Sequence, residues 1–233
     1  MAVVTGATGN LGPAVLRAYL THGTHVAAAA RDAAKGEALR SALSDVAGTA
    51  EDPRLLVIEA DPVDTSAMEA LVERVVRAWG RLDILNNLAG IFKGGPALDT
   101  RLMRELWDTN VLTAVTAGAA CLRPMRARGY GRIVSVSAVG ALKGGRNNAA
   151  YAMSKGALIR WTESLAAEVK GEGITVNAVL PTTIDHPANR AQMPKADPKL
   201  WPSPAEVANV ILFLSSREAS GVNGAAIPIT ART

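Results

Sequence analysis

Short apolar runs alternate along the chain with segments whose apolar residues recur every three to four positions. The runs are AVVTGA, HVAAAA, RLLVIEAD, LDILNNLAG, RIVSVSA, ITVNAVLP and AAIPIT. None alternates cleanly between apolar and polar residues, which is the pattern of strands covered on both faces. Seven strands are expected, with six main amphipathic helices between them. The clearest helix is predicted to start at Ser66, with Glu69 completing a capping box. Met68, Leu71, Val72, Val75, Val76 and Trp79 then make one apolar stripe. Another is predicted at Ser203-Pro204, a cap followed by proline at the first helical position. Val207, Val210, Ile211 and Leu214 follow on one face. This alternation predicts an α/β fold: a Rossmann-type doubly wound parallel sheet of about seven strands, with helices on both faces.

Composition narrows the picture. At 233 residues the chain is read as one dinucleotide-binding and catalytic domain, 1–233. Its 48% hydrophobic and 20% charged residues are ordinary for a globular chain. The net charge of +4 is scattered, and RPMRARGYGR is the only local basic cluster, so no nucleic-acid partner is expected. No signal peptide is visible and no apolar run is long enough to span a bilayer, so no membrane partner and a cytoplasmic location are expected. The chain starts almost inside its first strand, which suggests that a few N-terminal residues have been lost. Cys121 is the only cysteine, and it is read as a core residue. Trp79, Trp107 and Trp161 are read as core or interface; Trp201, in MPKADPKLWPSP, fits either a pocket lid or loop packing. The three histidines are scattered, and no metal site is expected.

The first candidate for chemistry is VVTGATGNLGPAVLRAYLTHG. Gly6, Gly9 and Gly12 follow a strand and open a helix, the context of a dinucleotide-binding turn. Thr8, Asn10 and Leu11 complete the loop. A helix N-terminus offers free N–H groups and partial positive charge to a pyrophosphate. The related spacing places its middle glycine where this chain has Asn10; asparagine tolerates left-handed backbone and could keep a similar path. At the tip of the second strand Ala30 stands where an acidic residue would bind the ribose of NAD. Arg31 follows, and a guanidinium can pair with a 2′-phosphate. NADP(H) is therefore favoured, with NAD(H) left open; Asp32 next door weakens the case slightly.

The second candidate is AYAMSKGALIRW. Tyr151 and Lys155 stand four residues apart, on one face of a helix. A phenol is a weak acid, with a pKa of about 10. A neighbouring ammonium is expected to lower it, and the tyrosine can then exchange a proton with a carbonyl oxygen.

At this point the chain resembles the short-chain dehydrogenase/reductase family over essentially its whole length. TGATGNLG, LDILNNLAG, WDTNVLTA, RIVSVSA with YAMSK, and ITVNAVLPTTIDHP resemble its successive motifs. The length, NNLAG, Tyr151–Lys155 and NAVLP point to its compact single-domain branch. The resemblance implies that Tyr151 is the acid–base residue, and that Lys155 binds ribose and tunes Tyr151. It implies that Asn110 holds a water in a proton relay, and that Asn10 and Leu11 lie against the pyrophosphate. Asn87, Ala89 and Gly90 would flank the adenosine ribose and Asp61 would meet the adenine. Pro181 and Ile184 would sit near the nicotinamide. A homo-oligomer, dimer or tetramer, is implied too.

The chain also departs from that pattern. The family's substrate-orienting serine usually stands thirteen positions before the tyrosine, and here that residue is Ala138. Either the following loop holds an extra residue and Ser137 serves, the reading favoured here, or the enzyme lacks the hydroxyl, as the dihydropteridine reductase type does. Leu88 replaces the second asparagine of the fourth-strand motif, Pro62 removes an N–H beside Asp61, and His186 replaces a threonine. The expected function is an NADP(H)-dependent oxidoreductase that moves hydride between nicotinamide and a small carbonyl or alcohol substrate. The alternative is a non-catalytic NAD(P)-sensing protein of the same fold, which need not keep Tyr151 and Lys155. Met193, Leu200 and Trp201 suggest an apolar lid over the substrate.

Overall fold

The structure, a computed structural model, describes residues 1–49 and 53–231. Seven parallel strands form one sheet in the order β3-β2-β1-β4-β5-β6-β7. They are β1 (Ala2–Thr5), β2 (Val26–Ala30), β3 (Leu55–Glu59), β4 (Ile84–Asn87), β5 (Gly131–Val136), β6 (Ile174–Pro181) and β7 (Ala226–Ile229). All seven expected strands are present. The helices are α1 (Gly12–Thr21), α2 (Ala33–Ala42), α3 (Thr65–Trp79), α4 (Thr100–Trp107), α5 (Thr113–Arg128), α6 (Ala149–Glu168), α7 (Pro187–Gln192) and α8 (Pro204–Leu214). A π-helical turn, Asp108–Leu112, joins α4 to α5, so these read as one long element and the six main helices are recovered, with the short α7 added.

The sheet is covered on both faces, and neighbouring residues of one strand feed different cores. Val4 packs with Val15, Leu16, Tyr19, Val207 and Ile211 under α1 and α8. Val3 packs with Met68, Leu71, Val75, Cys121 and Met125 under α3 and α5. This two-sided burial is why the strands read as unbroken apolar runs. Cys121 is a buried core thiol, and burial pushes its pKa up. Among the described residues no helix is long and apolar enough to cross a membrane.

One local expectation changes, and two tryptophan readings narrow. The start of α3 is set by Asp64, whose carboxylate accepts from Ala67 N at 3.1 Å, two residues before the expected Ser66. Aspartate caps as well as serine does, so the spacing to Glu69 misleads. Trp107 is 47% exposed, on a helix surface, and does not enter the core. Trp201 is buried. By contrast Ser203 and Glu206 form the expected reciprocal capping box at α8.

The order of the strands positions the site. Chain direction across the sheet reverses between β1 and β4, and in such sheets ligands bind beyond the strand ends at that point. Thr5 lies opposite Asn87, and Asn87 opposite Ser135, so the loops leaving β1, β4 and β5 emerge side by side.

Candidate active site

A cavity of about 1340 Å³ opens over these strand ends. Single-ligand pockets commonly run from about 300 to 1,000 Å³, so this one has room for a dinucleotide and a substrate together. One end is bordered by Gly6, Thr8, Gly9, Asn10, Leu11, Arg31 and Lys35; the other by Phe92, Tyr151, Asn148, Asn189 and Met193. Gly6 has φ +63°, and a Cβ there would lie 2.5 Å from Ala89 N, so the β1 and β4 loops touch through a bare backbone. Gly12 does not border the cavity; a Cβ on it would overlap the Ala7 carbonyl, so it lets α1 close onto its own loop. Gly9 and Asn10 keep negative φ, so the left-handed role considered for Asn10 is not needed.

The start of α1 fits a pyrophosphate. Its N-cap is Leu11, which supplies no side-chain cap, and its first turn has no acidic residue. The N-termini of α2, α3 and α4 are each capped by an aspartate, Asp32, Asp64 and Asp99. Free N–H groups and positive dipole charge at α1 are what an anion requires. Asp32 is committed to its helix, accepting from Lys35 N at 3.0 Å. Arg31 and Lys35 border the cavity without an ion-pair partner among the described residues. Lys35 is not legible in the sequence, because its place on the first turn of α2 depends on where that helix begins.

At the other end, α6 carries Tyr151 and Lys155 into the cavity together. The Tyr151 ring meets Phe92 edge-on at 4.9 Å. Its hydroxyl has no hydrogen-bond partner among the described residues and is free for a ligand. Lys155 is buried, and its Nζ donates to the Val136 carbonyl at 2.8 Å. Burial lowers the Lys155 pKa to about 8 and raises that of Tyr151. The expected lowering of Tyr151 by Lys155 is thus not expressed here: burial sets the direction for Tyr151, and the ammonium donates to the Val136 carbonyl. Gly90 makes room for this arrangement: a Cβ on it would lie 2.9 Å from Lys155 Nζ and 3.0 Å from Asn110 Oδ1.

Asn110 sits in the π turn, with Thr109 and Thr113 hydroxyls bonded back to carbonyls four residues earlier. Such turns recur at functional sites. Its Oδ1 accepts from Ile91 N at 2.7 Å, and its Nδ2 donates to Ile91 O at 3.1 Å and Ser154 Oγ at 3.0 Å. Ser154 in turn donates to Tyr151 O at 2.9 Å. The amide therefore ties the β4 loop to the turn of α6 that carries the tyrosine.

Residues 1–197 match the family model described as short chain dehydrogenase. The chain belongs to the short-chain dehydrogenase/reductase family. It is 32% identical over 236 residues to the 3-oxoacyl-[acyl-carrier-protein] reductase FabG of Escherichia coli (strain K12), covering 96% of this chain and 93% of that protein. Among solved structures, levodione reductase superposes with a TM-score of 0.89 at 27% identity, covering 99% of this chain and 95% of that one. NAD+-bound xylitol dehydrogenase does so with 0.87 at 27%, covering 99% and 97%. As a short-chain dehydrogenase/reductase the protein is an NAD(P)-dependent oxidoreductase, not a bare cofactor sensor.

The remaining predicted residues fall unevenly. Ala89, Gly90, Pro181 and Ile184 border the cavity. Asn87 does not: it is buried in the sheet, donating to Ser135 Oγ at 3.2 Å, and Leu88 lines the cavity instead. Asp61 also lies outside the lining, its carboxylate accepting from Val63 N at 3.1 Å, while Pro62 and Val63 face the cavity. His186 caps α7. Of the expected lid, only Met193 borders the cavity; Leu200 and Trp201 do not. Ser137 borders it, yet the residue is 2% exposed and its hydroxyl donates to the Lys155 carbonyl at 2.8 Å. Without a ligand the Ser137 hydroxyl directs its proton to the Lys155 carbonyl, and a hydroxyl can rotate to a new acceptor. Ala138 borders the cavity next to it.

Proposed function

We propose that the protein is an NADP(H)-preferring reductase of small ketones or aldehydes, reversible as an alcohol dehydrogenase, with Tyr151 as its acid–base residue. The observation that carries this reading is the unpartnered Tyr151 hydroxyl in a cavity that also presents an uncapped helix N-terminus. The α1 N-terminus with Gly6, Thr8, Gly9, Asn10 and Leu11 would hold the pyrophosphate. Arg31 and Lys35 would take the 2′-phosphate, and two cations with no ion-pair partner among the described residues favour NADP(H) over NAD(H). Lys155 would meet the nicotinamide ribose, with Pro181, Thr182 and Ile184 against the nicotinamide. Thr182 supports this fit: it borders the cavity with a buried hydroxyl that has no protein partner. When bound, the cofactor supplies or accepts the hydride. Tyr151 gives its phenolic proton to the substrate oxygen in reduction and takes it back in oxidation. Lys155, brought off the Val136 carbonyl, would favour the phenolate and return the proton, and Asn110 would hold α6 in register.

The test is turnover. Reduction of a broad carbonyl panel with NADPH is expected, and Tyr151→Phe should abolish it while leaving NADPH affinity within about twofold. Near-normal turnover by that variant would refute the assignment. Exposed Trp107 and Phe213 on α4 and α8 support a homo-oligomer, which sedimentation would read directly.

A further inference from the structure

The cavity offers more positive charge than the dinucleotide sites proposed above would use. The charged residues bordering it are Arg31, Lys35, Arg146 and Lys155, and among the described residues no carboxylate borders it. A cleft lined by one sign of charge draws in ligands of the other. Arg31 and Lys35 stand with the α1 loop at one end, and Lys155 stands on α6 where the nicotinamide ribose would lie. Arg146 has no part in that scheme.

Backbone contacts place Arg146 at the Tyr151 end. It is the second residue of the tight turn from Gly145 to Asn148, which is closed by a 3.3 Å hydrogen bond from Asn148 N to Gly145 O. The third residue, Asn147, has φ +56°, a left-handed conformation that asparagine tolerates better than most residues with a side chain. Asn147 O accepts from Gly95 N at 2.9 Å. A Cβ on Gly94 would lie 3.1 Å from that same oxygen, so the two loops meet through bare backbone. The second loop also carries Phe92, whose ring meets Tyr151 edge-on. Cations next to other lining residues are neutralised: Lys93, beside Phe92, pairs with Glu105, and Arg190, beside Asn189, pairs with Asp185. Arg146 makes no ion pair or hydrogen bond with any described residue. An exposed guanidinium needs no protein partner, so it is the border position and the lack of lining carboxylates that point to an anionic ligand.

We propose that Arg146 sets substrate choice: the carbonyl compound reduced at Tyr151 carries an anionic oxygen group, a carboxylate or a phosphate, which the Arg146 guanidinium binds. The inference rests on the carbonyl-reductase reading above. The parallel N–H donors of a guanidinium match either group in two-point fashion. Arg146 acts in binding alone; the hydride comes from the nicotinamide and the proton from Tyr151. Since Arg146 is exposed, its attraction for the anion is screened by salt.

The experiment measures kcat/KM with NADPH for matched pairs: acetoacetate and ethyl acetoacetate, 4-oxopentanoate and its methyl ester, and dihydroxyacetone phosphate and dihydroxyacetone. 2,3-Butanedione serves as a neutral reference. The anion should be preferred at least about tenfold, through KM, in the carboxylate pairs or in the phosphate pair, and the pair that shows it names the group. Arg146→Ala should lower kcat/KM for that anion about tenfold, the worth of one charge-assisted contact, with its neutral partner and NADPH affinity within about twofold. Arg146→Glu should lower it further. The native preference should shrink as salt rises from about 0.02 to about 0.5 M. Turnover of the neutral carbonyls with no anion preference in any pair overturns this inference alone. So does an equal loss for both members of a pair in Arg146→Ala, or weakened NADPH binding by that variant. Absence of wild-type turnover on every one of these carbonyls overturns the reductase reading and this inference with it.

Discussion

Lys155 makes the free enzyme less stable than it need be, and the size of that effect follows from its surroundings. Its pKa falls from 10.5 to about 8 because the ammonium is buried, held by one carbonyl from Val136 and, among the described residues, by no carboxylate. At about 1.4 kcal/mol per tenfold change in proton affinity, burying the charge costs about 3 kcal/mol. The sign is set by linkage: below pH 8 both states are protonated and the full penalty applies. Between about 8 and 10.5 the folded state gives up its proton while the unfolded state keeps it, so the penalty fades as pH rises. Lys155→Met keeps the stem and removes the charge. It leaves the Val136 carbonyl unpaired at about 1 kcal/mol, so the net gain at pH 7 is about 2 kcal/mol. For a chain of this size that is about 4–8 °C in melting temperature. The assay is calorimetric or fluorescence melting of both proteins without cofactor from pH 6.5 to 10. The variant should melt higher at pH 7, converge with the native protein towards pH 10, and turn over nothing. A lower melting temperature at pH 7, or a difference that does not change with pH, would refute the reasoning.

The glycine loop should respond position by position. Gly12→Ala, which sets a methyl against the Ala7 carbonyl, should cost about 1–3 kcal/mol and lower the melting temperature by several degrees. Gly9→Ala meets only the Gly6 carbonyl at 3.2 Å, so it should leave melting within about 0.5 kcal/mol but weaken dinucleotide binding measured by titration. Arg31→Ala and Lys35→Ala should each weaken NADPH about tenfold with little effect on NADH; equal losses for both cofactors would sink the phosphate role. Asp64→Ala should destabilise α3 by about 1 kcal/mol, where Ser66→Ala changes nothing measurable by melting.

Most of the scaffold is readable from the sequence because the signals that build it are local and repeated. Each strand run lies in a sheet covered on both faces, and the apolar stripes of α3 and α8 follow directly from helical spacing. Tyr151, Lys155, Gly90 and the loop at Gly6 are readable because strand ends and helical spacing place them. Two of the expected cofactor residues lie away from the cavity for local reasons. Motif position puts Asn87 and Asp61 at the cofactor, but the pleat of β4 turns Asn87 into the sheet, and Asp61 closes its own turn onto Val63. Ser137 and Ala138 both border the cavity, and the Ser137 hydroxyl is turned to the Lys155 carbonyl. Phe92, Lys35 and Ser154 are hidden in the sequence since their roles depend on contacts across loops that no single segment encodes.

The caps show where this chain leaves stability unused. Five helix starts are closed by their own side chains, at Asp32, Asp64, Asp99, His186 and Ser203. Two that open on the cavity, α1 and α6, are not. A cap is worth about 1 kcal/mol, so each omission is a cost that packing does not explain. The two omissions differ in kind. At α1 the position is filled by Leu11, a residue unable to cap, which leaves backbone N–H groups for an anion whatever the side chains do. At α6 the position holds Asn148, a residue well suited to cap, and its amide lies elsewhere. The gap at α1 is visible in the sequence as an absent cap. The start of α6 has the residue of an ordinary cap, and only the placement of its side chain sets it apart. That asymmetry explains why the cofactor loop is recognisable from its residues alone, whereas the uncapped start of α6 requires the fold.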